Sequence, residues 1–426
     1  MILCTDRKEK NLSLRQRVES IWSNDGRPRS RAEMVLCGGL RLASAAYWVG
    51  ATARGAAYDI GALPARRVDC PVVSVGNLTV GGTGKTPMAM EVARLLTETG
   101  LRPAIVSRGY RRSRSAGVTI VSDGRAVLAE ADAAGDEPLM MARRVPGVAV
   151  VVGSCRYEAA LTARRECNAD VIVLDDGFQH RALARDCDIV LWDTLRRPES
   201  LDLFPRGPMR EGLRGLRRAH ALVFTRCNLG RSARRILGRI KRYAPNLVVF
   251  HADLLIDALL PLEVCGAGVS SSETAPPEDR SRLMAATEGT QSVRTGAVEN
   301  ALAPECLRDR RVATFCGLGN PASFRRLLET AGAAVVADRV FPDHYRPSRE
   351  ELDRWFRDAQ SEGAEMVLTT EKDRENLPDN WQPGLPVRIV RVRIGWGSDA
   401  DRFRSFLMRY VEAGVSTAGS EQQSGS

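Results

Sequence analysis

The sequence predicts an α/β protein in which a parallel sheet carries helices on both faces. Between residues 67 and 264, short β-branched runs alternate with longer helical patterns. A glycine-rich loop follows the first of these runs, and a pair of acidic residues ends a later one. Such alternation is typical of parallel sheets, because a helix usually makes the crossover between parallel strands. The predicted strands are Val72–Val75, Ala104–Ser107, Val148–Val152, Val171–Leu174, Ile189–Trp192, Ala221–Thr225 and Leu247–Phe250, and the clearest helical patterns are Met88–Thr97 and Arg156–Arg165.

A second, smaller α/β unit is predicted over residues 309–413, where strand and helix patterns alternate again. The stretch 265–308 breaks the pattern with Ser, Pro, Gly and Thr, which predicts a flexible insertion. The Ser/Gly/Gln-rich stretch 414–426 predicts a disordered tail. In the second unit the predicted strands are Ala313–Cys316, Val335–Val336, Met366–Thr369 and Val387–Val392, with helices from Ala322 and near Arg349–Gln360.

Composition restricts the classes of function. The chain has 426 residues, of which 44% are hydrophobic and 27% charged, the balance of a folded globular protein. Its net charge of +10 suits an anionic partner such as a nucleotide, a nucleic acid or an acidic lipid surface, without choosing among them. Ten cysteines without C-x-x-C spacing and four histidines leave few ligands for a zinc site. Reduced, packed thiols fit the cytoplasm.

The N-terminal region divides into two parts. Residues 1–31 are polar and mixed in charge, which predicts a flexible basic extension without a signal peptide. Within 32–66, the stretch Leu42–Ala53 is uncharged and is bracketed by Arg41 and Arg54. This stretch is shorter than the roughly 20 residues that span a bilayer. A buried helix and an interfacial helix at a membrane surface both remain possible.

The strongest local signal is a glycine-rich loop, Val73-Ser-Val-Gly-Asn-Leu-Thr-Val-Gly-Gly-Thr-Gly-Lys-Thr86. A strand precedes it and a helical pattern follows, which is the setting of a phosphate-binding P-loop. Lys85 is expected to reach the β and γ oxygens of a nucleotide, and the Thr86 hydroxyl to bind Mg²⁺. The strict G-x-x-x-x-G-K-T pattern fails at Thr79, where the first glycine is expected. The predicted nucleotide-binding residues are Asn77, Thr79, Gly81, Gly82, Thr83, Gly84, Lys85 and Thr86.

A second signal is the apolar strand that ends in Asp175-Asp-Gly-Phe-Gln-His180. P-loop enzymes hold Mg²⁺ with acidic residues at such a strand end, so Asp175 and Asp176 are the predicted metal carboxylates. Taken alone, the motif is also compatible with a simple turn. A GTPase is disfavoured because Arg226-Cys227-Asn228 does not match the expected N-K-x-D motif. A mechanical or switching ATPase is not excluded by any single residue.

Transfer of phosphate to an alcohol benefits from a base beside the attacking hydroxyl. Asp136 opens a helical pattern and His344 lies in a loop of the second unit, and by residue type alone both are compatible with structural roles. The surrounding sequence gives no stronger reason to assign His180, His220 or His251 as the base, although His180 follows the acidic strand end.

Together these segments resemble the tetraacyldisaccharide 4′-kinase (lipid A 4′-kinase) family. The matching motifs, in chain order, are Ser74–Pro87, Ser107-Arg-Gly-Tyr110, Gly135-Asp-Glu-Pro138, Asp175–His180, Arg185-Asp-Cys-Asp-Ile189, Gly207-Pro-Met-Arg-Glu211, Phe315–Pro321, Asp343-His344 and Thr369–Asp373. The resemblance implies transfer of the γ-phosphate of ATP, with Mg²⁺, to the 4′-hydroxyl of a tetraacylated glucosamine disaccharide 1-phosphate. It also implies two α/β domains with the site between them. A membrane-surface helix over 32–66, on the cytoplasmic face of the inner membrane, is part of the same expectation.

The resemblance also implies roles for individual residues. Asp136 and His344 match a proposed catalytic pair in which the histidine polarises the aspartate that receives the hydroxyl proton. Departures from the family occur at Arg111 and at Asn376, which stands where a lysine is expected. An ATPase switch would not need such a base pair, and a nucleic-acid partner is not predicted because no recognition motif accompanies the charge. Weaker predicted substrate contacts are Arg156, Gln179, His180, Arg210 and Glu211.

Overall fold

A computed structural model describes most of the chain, and its internal contacts divide the chain into two compact units. One unit comprises the described residues up to Leu255 together with 322–327 and 392 onward, and the other comprises 256–321 and 328–391. The residues described are 18, 22, 31–109, 117–195, 201–230, 233–262, 300–342, 345–378 and 380–424.

The first unit is built on an eight-stranded sheet in the order β3-β4-β2-β5-β1-β6-β7-β8. All its pairings are parallel except that of β3 with β4, which is antiparallel. The predicted fold class is therefore confirmed, and β3 is an edge strand that the sequence analysis did not predict. The strands are β1 Val72–Asn77, β2 Pro103–Ser107, β3 Thr119–Asp123, β4 Ala149–Val152, β5 Val171–Asp175, β6 Cys187–Asp193, β7 Ala221–Thr225 and β8 Val248–His251.

Helices cover this sheet because its central strands are apolar on both faces. One face carries alternate residues of β1, β2, β4 and β5 and packs against the alanines Ala159, Ala160 and Ala163. Their small side chains let that helix lie close to the sheet. The helices of this part of the chain are α1 Arg31–Asp59, α2 Lys85–Thr97, α3 Ala131–Ala134, α4 Asp136–Arg144, α5 Arg156–Glu166 and α6 Arg234–Lys241, with a 3-10 helix at Leu213–Arg218.

The second unit contains a five-stranded sheet in the order β11-β10-β12-β13-β9. Its core is aromatic, with Phe315, Trp355, Phe356 and Trp381 buried together. The strands are β9 Asp253–Pro261, β10 Arg311–Cys316, β11 Ala334–Val340, β12 Met366–Thr370 and β13 Val387–Gly395. The helices of this part of the chain are α7 Pro321–Thr330, α8 Arg349–Ser361 and α9 Glu371–Arg374, with a 3-10 helix at Pro304–Leu307. Residues 322–327 of α7 group with the first unit. Most of the predicted insertion 265–308 lies outside the described residues.

The C-terminal region differs from the prediction. After a 3-10 helix at Gly397–Asp399, helix α10 spans Ala400–Ser424, so the described part of the tail predicted as disordered is helical. This helix groups with the first unit rather than with the second. Phe403 packs edge-on against Phe250, with ring centroids 5.1 Å apart, and Trp396 Nε1 donates to Glu91 Oε1 at 2.9 Å. These contacts join residues far apart in sequence, which local patterns do not reveal.

Helix α1 is exposed over much of its apolar surface. It has 29 residues, a length of about 44 Å. Among the described residues it is the one helix long and apolar enough, by length and composition, to cross a membrane. It therefore extends well beyond the uncharged stretch Leu42–Ala53. Val35, Leu42 and Val49 are 79%, 76% and 57% exposed, which does not fit the buried-helix alternative.

Candidate active site

The glycine-rich loop joins β1 to α2, as the sequence predicts. Strand β1 ends at Asn77 and α2 begins at Lys85. Gly81 and Gly84 adopt φ values of +101° and +84°, a region that side chains with a Cβ rarely enter. Thr79, which replaces the usual first glycine, is buried and forms an antiparallel bridge with Met209. The departure at this position is therefore compatible with an ordered loop.

Hydrogen bonds within the loop, and others from residues at the end of β7, hold the loop in place. Asn77 Nδ2 donates to Thr83 Oγ1 at 2.7 Å. The Thr225 hydroxyl, at the end of β7, donates to the Thr83 carbonyl at 3.1 Å, and Arg226 Nη1 donates to the Gly82 carbonyl at 3.0 Å. Arg226 also pairs with the buried Asp193. Two carbonyl groups of the loop are thus held in place, so the loop needs less rearrangement to bind phosphate.

The acid pair lies beside the loop because β5 neighbours β1 in the sheet. Val75 pairs in register with Asp175. The approach is close at Gly76, where a Cβ would stand 2.5 Å from Cβ of Phe178. The two motifs singled out in the sequence therefore meet at the same carboxyl edge of a parallel sheet, where α/β proteins usually bind ligands.

Asp175 and Asp176 have different electrostatic environments. Burial, followed by the nearby charges of Glu137 and Asp176, raises the pKa of Asp175 to about 7. The Ser107 hydroxyl donates to its Oδ2 at 3.3 Å, and Oδ1 has no hydrogen-bond partner among the described residues. For Asp176, burial acts to raise the pKa, but the net shift is downward because Lys85 and Arg210 stabilise the carboxylate.

A basic network surrounds Asp176. Arg210 Nη1 donates to both of its carboxylate oxygens, at 2.9 and 2.8 Å, and Lys85 Nζ lies 3.7 Å from Oδ1. Gln179 Nε2 donates to the Asn77 carbonyl at 2.8 Å and to Glu211 Oε1 at 2.9 Å. Arg210 Nη1 also donates to Gln179 Oε1 at 3.3 Å. One connected cluster at the loop therefore contains six of the predicted residues, Asn77, Lys85, Asp176, Gln179, Arg210 and Glu211.

The residues present fit a nucleotide with Mg²⁺. The unpartnered Oδ1 of buried Asp175 is a hard oxygen ligand of the kind Mg²⁺ takes, and the cation would favour the ionised form of this carboxyl. Thr86 stands in the first turn of α2, next to Lys85. A helix N-terminus attracts phosphate through its unpaired N–H groups and its dipole.

Arg156 and His180 lie in the same electrostatic environment. Arg156 is buried, and its Nη1 donates to the Gly153 carbonyl at 3.2 Å. Burial, then Arg108, lowers the pKa of Arg156, while Asp175 and Asp176 oppose that shift. Burial, then Arg156 and further arginines, lowers the pKa of His180 to about 4, so this imidazole is neutral at physiological pH.

The structure describes only one residue of the predicted catalytic pair, Asp136. Asp136 is the first residue of α4 and is partly buried, after Gly135 with φ of +86°. Asp343 and His344 lie outside the described residues, as does Arg111, so the pair remains a prediction. Sequence reasoning assigned no role to Ser107, Glu137 or Arg226, which act on Asp175 or on the loop. Ser107 and Glu137 belong to quoted motifs, whereas nothing local marked Arg226.

Comparison with known proteins gives consistent results. The model of a family described as tetraacyldisaccharide-1-P 4′-kinase matches residues 38–412. The chain is 44% identical over 378 residues to the tetraacyldisaccharide 4′-kinase of Anaeromyxobacter dehalogenans strain 2CP-C, covering 88% of this chain and 90% of the relative. It is 35% identical over 385 residues to that of Syntrophus aciditrophicus, covering 90% and 95%.

Among solved structures, the chain is similar to LpxK from Aquifex aeolicus, described as an "apo" form in complex with ATP. The TM-score is 0.61 at 29% sequence identity, covering 88% of this chain and 99% of that one.

Proposed function

The chain belongs to the tetraacyldisaccharide-1-P 4′-kinase family, and we propose that its loop and acid pair transfer the γ-phosphate of ATP to a lipid acceptor. The acceptor hydroxyl is the 4′-hydroxyl of a tetraacyldisaccharide 1-phosphate, and the product is the 1,4′-bisphosphate precursor of lipid A. The family resemblance predicted from the sequence is thereby confirmed.

One observation carries the assignment of this chemistry to particular residues. Lys85, at the start of α2, lies 3.7 Å from Asp176, which directly follows β5. The neighbouring residue Asp175 has one carboxylate oxygen, Oδ1, without a hydrogen-bond partner among the described residues. A phosphate-binding cation and two carboxylates at one sheet edge are the elements that P-loop phosphoryl transfer requires.

The loop, Lys85, the acid pair and Arg210 have different roles in phosphate transfer. The loop from Asn77 to Gly84 cradles the phosphates with backbone N–H groups, and Lys85 stabilises the charge that develops on the transferred group. Thr86, Asp175 and Asp176 would hold Mg²⁺, which would neutralise phosphate charge. Arg210 keeps Asp176 ionised and oriented through its two hydrogen bonds.

The base is assigned to Asp136, with His344 as its polarising partner. An isolated aspartate with a pKa near 3.9 is a weak base at neutral pH. A histidine beside it would help to hold the proton taken from the acceptor hydroxyl. Arg156, Gln179, His180 and Glu211 are assigned to the acceptor side of the site.

Helix α1 is assigned to the membrane surface, on the cytoplasmic face of the inner membrane. Its exposed apolar side chains and the chain's net charge of +10 support this assignment. Burial of apolar side chains and attraction to anionic lipid both strengthen the binding of an interfacial helix to a membrane. The acceptor carries four acyl chains, so it reaches the enzyme from a bilayer.

The test is a transfer assay in mild nonionic detergent with γ-labelled ATP, Mg²⁺ and the tetraacyldisaccharide 1-phosphate. We expect label on the lipid for the wild type and its loss in Lys85→Ala. Release of labelled inorganic phosphate without labelled lipid would contradict the proposal and would favour an ATPase switch.

A further inference from the structure

Arg218 lies beside the acid motif, although neither the sequence patterns nor the chemistry described above uses it. It ends the 3-10 helix Leu213–Arg218, and its side chain is 24% exposed. Its guanidinium stands over the ring of the fully buried Phe178, 4.4 Å from the ring centroid. It also donates to both carboxylate oxygens of Glu211, from Nη1 at 3.0 Å and from Nη2 at 3.2 Å. A cation–π contact and two parallel hydrogen bonds together fix the orientation of a guanidinium.

The Glu211 carboxylate depends on Arg218 for its balance of charge. In the described part of the chain, Arg218 is the one cation that forms an ion pair with it. Gln179 Nε2 donates to the same carboxylate, and Gln179 Oε1 accepts from Arg210 Nη1. Gly215, in the same 3-10 helix, carries no Cβ that would crowd Glu211 Oε2. The carboxylate is therefore enclosed by groups that fit it.

Without Arg218, the charge of Glu211 would compete with Asp176 for Arg210. Glu211 follows Arg210 directly in the chain, and the Gln179 amide joins the two side chains. Glu211 Oε1 is therefore no farther than about 9 Å from Arg210 Nη1. Within the described residues, the hydrogen bonds of the Arg210 guanidinium all run through Nη1, which leaves its other N–H groups available to a second carboxylate. A partly buried carboxylate that has lost its partner is unfavourable, so a neighbouring arginine would turn towards it.

We propose that Arg218 is a positioning residue for phosphate transfer, because it satisfies the charge of Glu211 and so leaves Arg210 on Asp176. The inference rests on the proposed function, in which Asp176 and the loop bind ATP with Mg²⁺. Arg218 acts through Glu211 and does not itself contact the phosphates. Its removal should therefore harm the reaction only while Glu211 carries a charge.

The test is a double-mutant cycle of Arg218→Met with Glu211→Gln. Two quantities are measured, the kcat of transfer and the dissociation constant of ATP with Mg²⁺ from calorimetry, which needs no turnover. Methionine keeps an apolar contact with Phe178 and removes the charge. In the wild-type background, Arg218→Met should raise the dissociation constant and lower kcat by about 10- to 100-fold, the range for hydrogen bonds to a charged group. Relative to Glu211→Gln alone, the same change should cost about threefold or less, because the competing charge is gone.

Two further variants separate charge from fold. Arg218→Lys keeps the charge without the two-bond geometry, so its kcat should fall between those of the wild type and Arg218→Met. This smaller loss should also disappear in the Glu211→Gln background. Arg217→Met is the matched control, because it removes a neighbouring arginine of the same 3-10 helix that donates to the Tyr243 carbonyl. It should leave both measured quantities unchanged.

Equal losses from Arg218→Met in both backgrounds would overturn the inference, because they would show that Arg218 acts through folding or through packing on Phe178. A loss no larger than that of Arg217→Met would also overturn it. If the wild type bound ATP but transferred no phosphate to the lipid, the proposed function would fail. The ATP-binding cycle would then still decide whether Arg218 acts through Glu211.

Discussion

The phosphate loop and helix α1 are stabilised in opposite ways. Around the loop, buried polar groups such as Asn77, Thr83 and Thr225 bond to one another, so the order of this region comes from within the protein. Helix α1 packs one face on the segment 201–210 through Ser44 and Tyr47, and leaves a second apolar stripe exposed. The difference indicates a preorganised chemical site in one region, and in the other an exposed apolar surface of the kind that the proposed membrane-surface role of α1 requires.

The largest expected effects fall on the chemical step. Asp136→Asn and His344→Ala should each lower kcat by about 100- to 10,000-fold, the usual range for loss of general base catalysis. If they act as one unit, the double variant should be little slower than either single variant. Rate losses that multiply in steady-state transfer assays would show that the two residues act independently.

Loss of the loop cation should also be severe. Lys85→Ala should lower kcat/KM by about 100- to 1,000-fold, as removal of a preorganised group that stabilises transition-state charge does. Arg125→Ala, at the exposed turn after β3, is the control for a lost positive charge. The measurement is the rate of transfer at matched ATP concentrations. If Lys85→Ala retained most of the activity, the loop would not be the preorganised chemical site described here.

The exposed stripe of α1 should control membrane binding without affecting ATP. Val35, Leu42 and Val49 are spaced by seven residues and therefore share a helical face. Each is worth about 1.5–3 kcal/mol when fully buried in an apolar phase. The triple change to serine should abolish flotation with liposomes while ATP affinity stays unchanged.

A matched control for that experiment is Val127→Ser with Leu128→Ser, two residues that are 44% and 58% exposed and follow the turn after β3. If both sets of changes reduced flotation equally, the effect would be one of general hydrophobicity rather than of α1.

A smaller effect should appear where the two regions meet. Tyr47→Phe removes the hydrogen bond to the Arg210 carbonyl, a contribution of about 0.5–1.5 kcal/mol to the free energy of unfolding. Thermal unfolding should show a drop of a few degrees at most. Because Arg210 holds Asp176, a modest fall in kcat should accompany it, and an unchanged kcat would separate α1 from the reaction site.

A last effect concerns His180 and the pH dependence of stability, not the rate of transfer. Its folded pKa of about 4 lies below the ordinary value of 6.5, so between these values the unfolded chain binds a proton that the folded chain does not. This group therefore makes unfolding easier as the pH falls from 6.5 towards 4. Urea unfolding at pH 5 and pH 7.5 should show that His180→Gln loses less stability than the wild type on acidification, or gains more, because Asp175, with its pKa raised to about 7, acts in the opposite direction in both proteins. An identical dependence in both proteins would contradict the assignment.

The same comparison explains what the sequence could predict. The loop and β5 follow from strong local patterns, in which an apolar strand runs into glycine or aspartate. Strand β7 is a short apolar run and occupies the predicted residues Ala221–Thr225. Strand β3 was missed because it is short and half polar, and residues 414–424, the end of helix α10, were predicted as disordered because the packing of this helix depends on distant residues. In the site, the roles of Ser107, Glu137 and Arg226 depend on which strands become neighbours. The exposure of α1 likewise follows from tertiary packing.

The most direct measurement is the position of the new phosphate on the lipid. The product of a reaction with ATP, Mg²⁺ and the tetraacyldisaccharide 1-phosphate would be purified and its phosphorus–proton couplings recorded by NMR. We predict a second phosphate coupled to the proton on carbon 4′, present with the wild type and absent with Lys85→Ala. A phosphate on any other carbon, or inorganic phosphate as the sole product, would contradict it.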